Sequence, residues 1–582
     1  PEVLEKYGFP DKKTVLFAMH RPASMEAAEQ ARTALIFEEF FLYEAAVGLR
    51  SIERRGILPR SNINSAQPPA SPAEPDAAQH ADAAALAEQD TPLQTKAAEV
   101  ALNTEAGRQP DIQAEETGQP EPRYSPLQRE LLSRLPFTLT AGQQAVAAEI
   151  NADIDSAVPA ARLIQGDVGS GKTLVAFLAC LKIIEDGGQA ALMAPTELLA
   201  RQHADTAAKL LEPLGVRLAF LTGNLKAAGR SQLLQQLASG NIDLIIGTHA
   251  LFSAQTRYHN LRMVVIDEQH RFGVEQRAAL RHARQDGRGV HELVMTATPI
   301  PRTIAMTVFG DLDDTRMAGI PKGRTPVATY LADAANATWV DRTWTRAAEE
   351  IAEGRRVYVV CPRIDASDAV ADAEEDNARP LASVEEVAAY LRSHPALAGI
   401  AIHELTGRTP AALKAHIMED FSAGRAPLLV ATTVIEVGVD VPEATLMVIL
   451  DAQQFGLAQL HQLRGRVGRS DLPSLCIALH RHELTDSGRA RLQAFATTTD
   501  GFELAEADLR LRKEGDVLGA GQSGTATHLR FLSVRRDEAL IRASKSEAET
   551  VLAQDPTLEA HPDLVRALRA ASDGQLEWMQ RS

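Results

Sequence analysis

RLIQGDVGSGKTLVAFLACL, residues 162–181, is the stretch whose reading decides the fold. Four residues suited to a buried strand run into GDVGSGKT (166–173), which fits GxxxxGK[ST], and an apolar helical run follows at once. Strand before and helix after are the context this motif needs. Gly166, Gly169 and Gly171 let backbone N–H groups curl around phosphate oxygens, and the helix N-terminus adds a favourable dipole. Lys172 is then placed to reach β- and γ-phosphates, and Thr173 offers a hydroxyl to a magnesium ion. A glycine-rich turn without a ligand is the bland alternative, and the strand-to-helix setting weighs against it.

Outward from this loop, short β-rich runs alternate with helical segments: RLIQ at 162, ALMAP at 191, LAFLTG at 218, DLIIGT at 243, MVVID at 263 and ELVMTAT at 292. A second series follows, with RVYVVCP at 356, IAIHELTG at 400, PLLVATT at 427, LMVILD at 446 and LCIALH at 475. Such alternation reads as βαβ units and parallel sheets. Two series in tandem predict two α/β domains with a cleft between them. The aliphatic composition agrees, with 45% apolar residues and only 4% aromatic.

Further chemistry sits at the strand ends. Asp267 and Glu268 follow MVVI, so a carboxylate at the strand terminus can hold a magnesium shell while its neighbour orients and deprotonates a water. In QLRGRVGR (462–469), Arg466 and Arg469 are three residues apart, a spacing that would put both on one helix face, aimed across the cleft at a γ-phosphate. The competing reading, most open for Arg464, is a solvated basic helix or a contact to a nucleic-acid backbone.

The remainder bounds the problem. The 582 residues allow three to four domains. Cys180, Cys361 and Cys476 lie far apart, without zinc or disulfide spacing. No apolar run approaches the roughly 20 residues that cross a bilayer, so a soluble cytoplasmic chain is expected. The net charge of -17 argues against a polyanion partner at first sight. Between residues 61 and 123, however, eleven acidic residues face three basic ones, a balance of -8, so much of the charge sits in one atypical segment. That Ala/Pro/Gln/Glu-rich segment lacks the apolar surface to offset ordering and is expected to be a disordered linker. Residues 27–49 are expected to form one long helix, with Ala31, Leu35, Phe40 or Phe41 and Val47 near helical spacing. Acidic residues 365–377 are expected to be a surface loop.

These residues together resemble the superfamily 2 helicases and, within them, the RecG family. The likeness runs through MAPTELLARQH at 193, LTGNLK at 221, GTHALF at 247, DEQHRFGVEQR at 267, TATPIPRT at 296, CPRI at 361, ATTVIEVGVDVP at 431 and QLHQLRGRVGRSD at 459. DEQH before RFGV, where the transcription-repair coupling factor has DEEQRFGV, points to RecG. The resemblance implies two RecA-like domains, ATP and Mg2+ as cofactors, and an adenine-reading segment in LPFTLTAGQ (135–143) with Gln143 as base contact and Phe137 as stacking neighbour. It further implies that Thr296 and Thr298 couple hydrolysis to DNA movement and that Gly438 and Asp440 touch the nucleotide. Residues 491–524 resemble the family's translocation motif, with Arg510 and Arg512 in its basic helix and Gln522 in its QSG. Lys513 and Glu514 depart from the usual Gly-Pro, which leaves the loop's entry turn open.

The implied organisation is a helical remnant of a wedge-to-motor linker (1–60), the linker (61–128), an ATP-binding domain (129–325), a C-terminal helicase domain (326–485) and a helical hairpin region (486–582). FAMHRP at 17 and ARTALIFEEFF at 31 look like the family's approach to the motor, and with Pro1 as first residue the wedge is expected to lie before it. The implied activity is ATP-driven movement on duplex DNA, with replication forks and Holliday junctions as partners. A monomer at the nucleoid, with single-strand DNA-binding protein as a further partner and no membrane, completes the expectation. A coupling-factor-type translocase, an RNA helicase and a catalytically silent scaffold are the alternatives, and DNA-stimulated ATP hydrolysis separates the last from the rest.

Overall fold

Short oxygen-bearing side chains ahead of apolar-periodic runs start many of the helices. In the computed structural model Asp11 accepts hydrogen bonds from the amides of Lys13 and Thr14 and opens α1 (Lys12–His20), which packs on α2 (Met25–Arg55). Ser125 and Gln128 form a reciprocal capping box at α3 (Pro126–Arg134), and Thr140 and Gln143 form another at α4 (Ala141–Asp155). The structure describes residues 6–55, 58, 123–156, 158–223, 227–253, 255–268, 289–297, 312–319, 325–364, 381–436, 441–481, 483–511 and 537–575. Almost all of the segment expected to be a linker, and the acidic stretch at 365–377, lie outside them.

The first lobe follows in βαβ order: β1 (Ala161–Gly166), α5 (Lys172–Glu185), β2 (Gln189–Met193), α6 (Glu197–Leu211), β3 (Leu218–Leu221), α7 (Ala227–Ala238), β4 (Leu244–Gly247), β5 (Leu261–Asp267), β6 (His291–Thr296) and β7 (Asp313–Met317). All seven strands pair in parallel in the order β3-β4-β2-β5-β6-β1-β7. The second lobe has β8 (Ala328–Asp333), α8 (Ala337–Ala352), β9 (Arg356–Val360), α9 (Val384–Ser393), β10 (Ile402–Leu405), α10 (Ala411–Ala423), β11 (Leu428–Ala431), β12 (Ala444–Ile449), α11 (Leu457–Arg464) and β13 (Leu475–His480). Its parallel order is β10-β11-β9-β12-β13-β8. Counted within each lobe, both sheets therefore run 3-4-2-5-6-1, and the first adds β7 at its edge.

Every strand that the sequence suggests is present. Two more, β7 (DDTRM) and β8 (ATYLAD), were not anticipated, and both are edge strands whose polar or alternating residues lack the continuous apolar run of a central strand. Consecutive residues of the central strands enter opposite cores. Ile164 and Val265 face α5, for example, while Leu163 and Val264 face the other side. Side chains buried to this extent each contribute about 1.5–3 kcal/mol, so Ile164→Ala at 0% exposure would cost about 2–5 kcal/mol.

Beyond the second sheet lie α12 (Asp486–Thr497), α13 (Gly501–Leu511), α14 (Glu538–Gln554) and α15 (Pro562–Gln575). α12 and α13 pack on the second lobe through Leu492, Phe495 and Leu504. α14 and α15 instead pack along α2, which is longer than the expected 27–49 helix, with Phe40, Tyr43 and Val47 buried against Ile541. A Cβ at Gly48 would meet the terminal Cδ1 of Leu552, which packs directly over the glycine. Arg32 holds Asp537 through two nitrogens, at 2.9 and 3.2 Å, and buried Lys545 faces buried Glu44 at 3.8 Å.

Candidate nucleotide site between the two lobes

The loop after β1 turns on two left-handed glycines, Gly169 (φ 75°) and Gly171 (φ 88°), and Gly171 is the cap of α5. Left-handed backbone is sterically costly for other residues. At Gly171 a side chain would also collide with the Gln143 amide. Lys172, the first residue of α5, is buried and donates from Nζ to the carbonyls of Gly166 (2.6 Å) and Asp167 (2.9 Å). Burial pulls its pKa below the usual lysine range against the opposing charges of Glu268, Asp267 and Asp167, and Arg469 adds to the depression. Among the described residues the buried Ser170 hydroxyl has no hydrogen-bond partner. A buried cation, an unsatisfied hydroxyl and a glycine-lined turn at a helix N-terminus fit a phosphate group.

β5 delivers the acids. Asp267, its last residue, accepts from His203 Nε2 of α6 at 2.8 Å through Oδ2. Glu268 adopts φ 54°, unusual outside glycine, with its amide donating to Met295 O and its Oε1 accepting from the Ala297 amide at 3.2 Å. Burial, then the neighbouring charge of Asp267, pushes its pKa up to about 7 against the opposing effects of Lys172, the Ala297 amide and Arg466. A carboxyl tuned near neutrality at a crevice wall suits proton transfer. Thr173 and Asp267, the residues expected to serve magnesium, carry oxygens of the kind that ion takes.

The opposite wall comes from the second lobe. α11 ends at Arg464, capped at Gly465, and the chain turns again at Gly468 (φ 71°). Arg466 and Arg469 therefore do not share a helix face, because the helix stops before both. Both lie on the turn that follows it, and their charges bear on the first lobe, Arg466 on Glu268 and Arg469 on Lys172. Arg469 Nε also donates to Gly465 O at 3.1 Å. The lobes approach closely here, since a Cβ at Gly465 would lie 2.7 Å from the Cβ of Val168 in the phosphate loop.

Three contacts were not foreseen from sequence. His461 of α11 bridges the crevice to the Asp167 carboxylate. Arg464 is buried within the second lobe, donating to the carbonyls of Phe495 and Thr498 at 2.9 Å each and lying over the Phe495 ring. Arg316 of β7 sits 4.8 Å from the Phe502 ring centroid of α13, linking the first sheet to the C-terminal hairpin. Burial raises the Asp167 pKa, but the hydrogen bond from His461, with the Val168 amide and the Lys172 charge, carries it below the usual carboxylate range.

Of the segment expected to read adenine, Phe137 is half exposed beside α4, whereas Gln143 is buried. Its Oε1 accepts from the Thr140 amide and its Nε2 donates to Ser170 O at 2.8 Å, so it braces the phosphate loop. Thr296 is buried at the end of β6, and Arg510 is exposed on α13 beside Glu506. Thr298, Gly438, Asp440, Arg512 and Gln522 lie outside the described residues.

Two parallel sheets of one topology, a phosphate loop on the first and paired arginines from the second define the class: the motor fold of the superfamily 2 helicases. Family models match in three consecutive blocks: DEAD/DEAH box helicase over 140–307, helicase conserved C-terminal domain over 343–471, and ATP-dependent DNA helicase RecG, domain 3, C-terminal, over 498–581. The chain belongs to the RecG family of ATP-dependent DNA helicases. It is 44% identical over 519 residues to the RecG of Treponema pallidum, covering 88% of this chain and 67% of that protein. Against RecG of Escherichia coli K12 the identity is 46% over 418 residues, 71% of this chain and 58% of the relative. A solved structure of RecG bound to a three-way DNA junction superposes with a TM-score of 0.67 at 31% identity, over 94% of this chain and 61% of that one. The chain thus spans roughly three-fifths to two-thirds of these relatives. Among the described residues no helix is long and apolar enough to cross a membrane.

Proposed function

We propose that this chain is the motor of an ATP-driven translocase on duplex DNA that remodels branched junctions, regressing forks and migrating Holliday junctions. The observation that carries the reading is the two-walled crevice, with Lys172 and Glu268 on one side and Arg466 and Arg469 acting on those same two residues from the other. Family membership and the RecG structure on a three-way junction support the choice of DNA.

In this reading the phosphate loop and Lys172 bind the triphosphate, and Glu268 orients water and takes its proton. Arg466 and Arg469 stabilise charge on the departing phosphate. Magnesium, held by Thr173 and Asp267, would neutralise phosphate charge. Phe137 and Gln143 serve the base, while Gly438 and Asp440 serve as nucleotide contacts. Thr296 and Thr298 couple hydrolysis to movement, and Arg510, Arg512 and Gln522 lever on the duplex. The protein acts as a monomer at the nucleoid, with single-strand DNA-binding protein as a further partner.

ATP hydrolysis measured side by side with linear duplex, fork and four-way junction tests the reading. Branched DNA should stimulate most, with a steep fall as salt rises, because backbone phosphates dominate binding. Hydrolysis indifferent to every DNA, or equal in wild type and Glu268→Gln, would overturn it. Gln522→Ala should keep much of the hydrolysis and lose triplex displacement.

A further inference from the structure

His461 belongs to none of the roles above, yet it is buried where the lobes meet. Its Nε2 meets Asp167 Oδ1, and its Nδ1 lies 2.9 Å from a terminal nitrogen of Arg464. A guanidinium can only donate, so Nδ1 must accept and the ring proton resides on Nε2. His461 therefore donates to Asp167. Arg464 donates in the other direction as well, to the last carbonyl groups of α12 and its exit turn, at Phe495 and Thr498. On the far side, Asp167 O is one of the two carbonyls that hold Lys172.

An unbroken polar chain thus runs from Lys172 through Asp167, His461 and Arg464 to the junction of α12 and α13. Each link is directional and at least partly shielded from water, where hydrogen bonds hold geometry more strictly than at a surface. Val168 seated against Gly465 fixes the spacing beside it. A phosphate at the loop would compete with the two carbonyls for the three N–H donors of Lys172, which alters the hold on the Asp167 peptide unit. That residue's side chain is the one His461 grips.

We infer that His461 is a positioning residue that reports the state of the phosphate loop to the α12–α13 hairpin, through Asp167 on one side and Arg464 on the other. The inference rests on the motor reading, since it assigns the route by which nucleotide binding reaches the segment proposed to lever on DNA. His461 touches neither substrate nor the reacting atoms in this scheme. It transmits position.

Two substitutions separate its nitrogens. His461→Asn places an oxygen where Nδ1 meets Arg464 but falls short of Asp167, whereas His461→Gln reaches Asp167 with an amide nitrogen. Amide hydrogen exchange over 495–511 would be followed on the full chain with and without magnesium and a non-hydrolysable ATP analogue. Wild type should change protection there on adding the analogue. His461→Asn should lose that response by about 5-fold or more, the lower range of an allosteric coupling, while still binding the analogue. His461→Gln, which keeps the Asp167 contact and gives up the Arg464 contact, should lose the response as well, since the route needs both links. A wild-type response absent from 495–511, or one equal in wild type and His461→Asn, overturns the inference. So does a loss that follows melting temperature alike in both variants. DNA-stimulated hydrolysis by wild type, run in parallel, reports on the motor reading separately, because the exchange response needs neither DNA nor turnover.

Discussion

The two lobes share one strand order and one unusual corner, but the acids at those two corners have different surroundings. After the fifth strand of each, a non-glycine residue adopts positive φ: Glu268 at 54° after β5 and Asp451 at 48° shortly after β12. Glu268 faces Lys172 and Arg466 and is tuned near neutrality. Asp451 instead accepts from the Ala382 amide at 2.7 Å and Arg481 Nε at 3.0 Å, closing its own lobe. The loops after the first strand differ likewise. In the first lobe a glycine-rich turn leads to Lys172; in the second, Asn336 caps α8 through the amides of Thr338 and Trp339. A shared backbone corner is therefore a place for an acid, and what surrounds it decides whether that acid holds structure or moves a proton.

Substitutions at matched positions test this contrast. Lys172→Ala should lower DNA-stimulated hydrolysis by about 10²-fold or more, through lost charge stabilisation of the phosphates. Glu268→Gln should come next, with turnover falling by roughly 10²-fold, as expected when a general base is removed, and ATP analogue affinity kept within a few-fold. Because Glu268 must be ionised to act as base and its pKa stands at about 7, kcat/KM for ATP should be flat above that pH and fall about tenfold per unit below it. The dependence should vanish from the residual rate of Glu268→Gln. The smallest effects belong to the second lobe: Asp451→Asn and Asn336→Ala should leave turnover near wild type and cost about 1–3 and about 1 kcal/mol of stability, read from denaturant titration. If Asp451→Asn removed hydrolysis as fully as Glu268→Gln, the division of labour between the corners would fail.

What could be read beforehand follows from the range of the interactions involved. The central strands and the phosphate loop are local patterns, and GDVGSGKT between RLIQ and LVAFLACL declares its own setting. β7 and β8 escape because an edge strand buries too little to require an apolar run: DDTRM buries alternate residues and ATYLAD buries Ala332 alone. The shared helix face expected for Arg466 and Arg469 is absent, since three-residue spacing implies a helix only while the helix lasts, and it ends at Arg464. His461, Arg464 and Gln143 are bound to partners 294, 31 and 27 residues away. No spacing rule reaches that far, although a histidine and an arginine three apart on one short helix could have hinted at a pair.

The clasp of α2 with α14 and α15 has a mechanical consequence. Because helices near the beginning of the described chain grip helices near its end, both lobes lie within one closed circuit of covalent and noncovalent links. A load applied between those extremities is borne first by the helix seam, where Arg32–Asp537 and Lys545–Glu44 resist sliding, and reaches the sheets only after the seam has sheared. An optical-trap trace pulled from residues 25 and 575 should therefore yield at the seam before either sheet unravels.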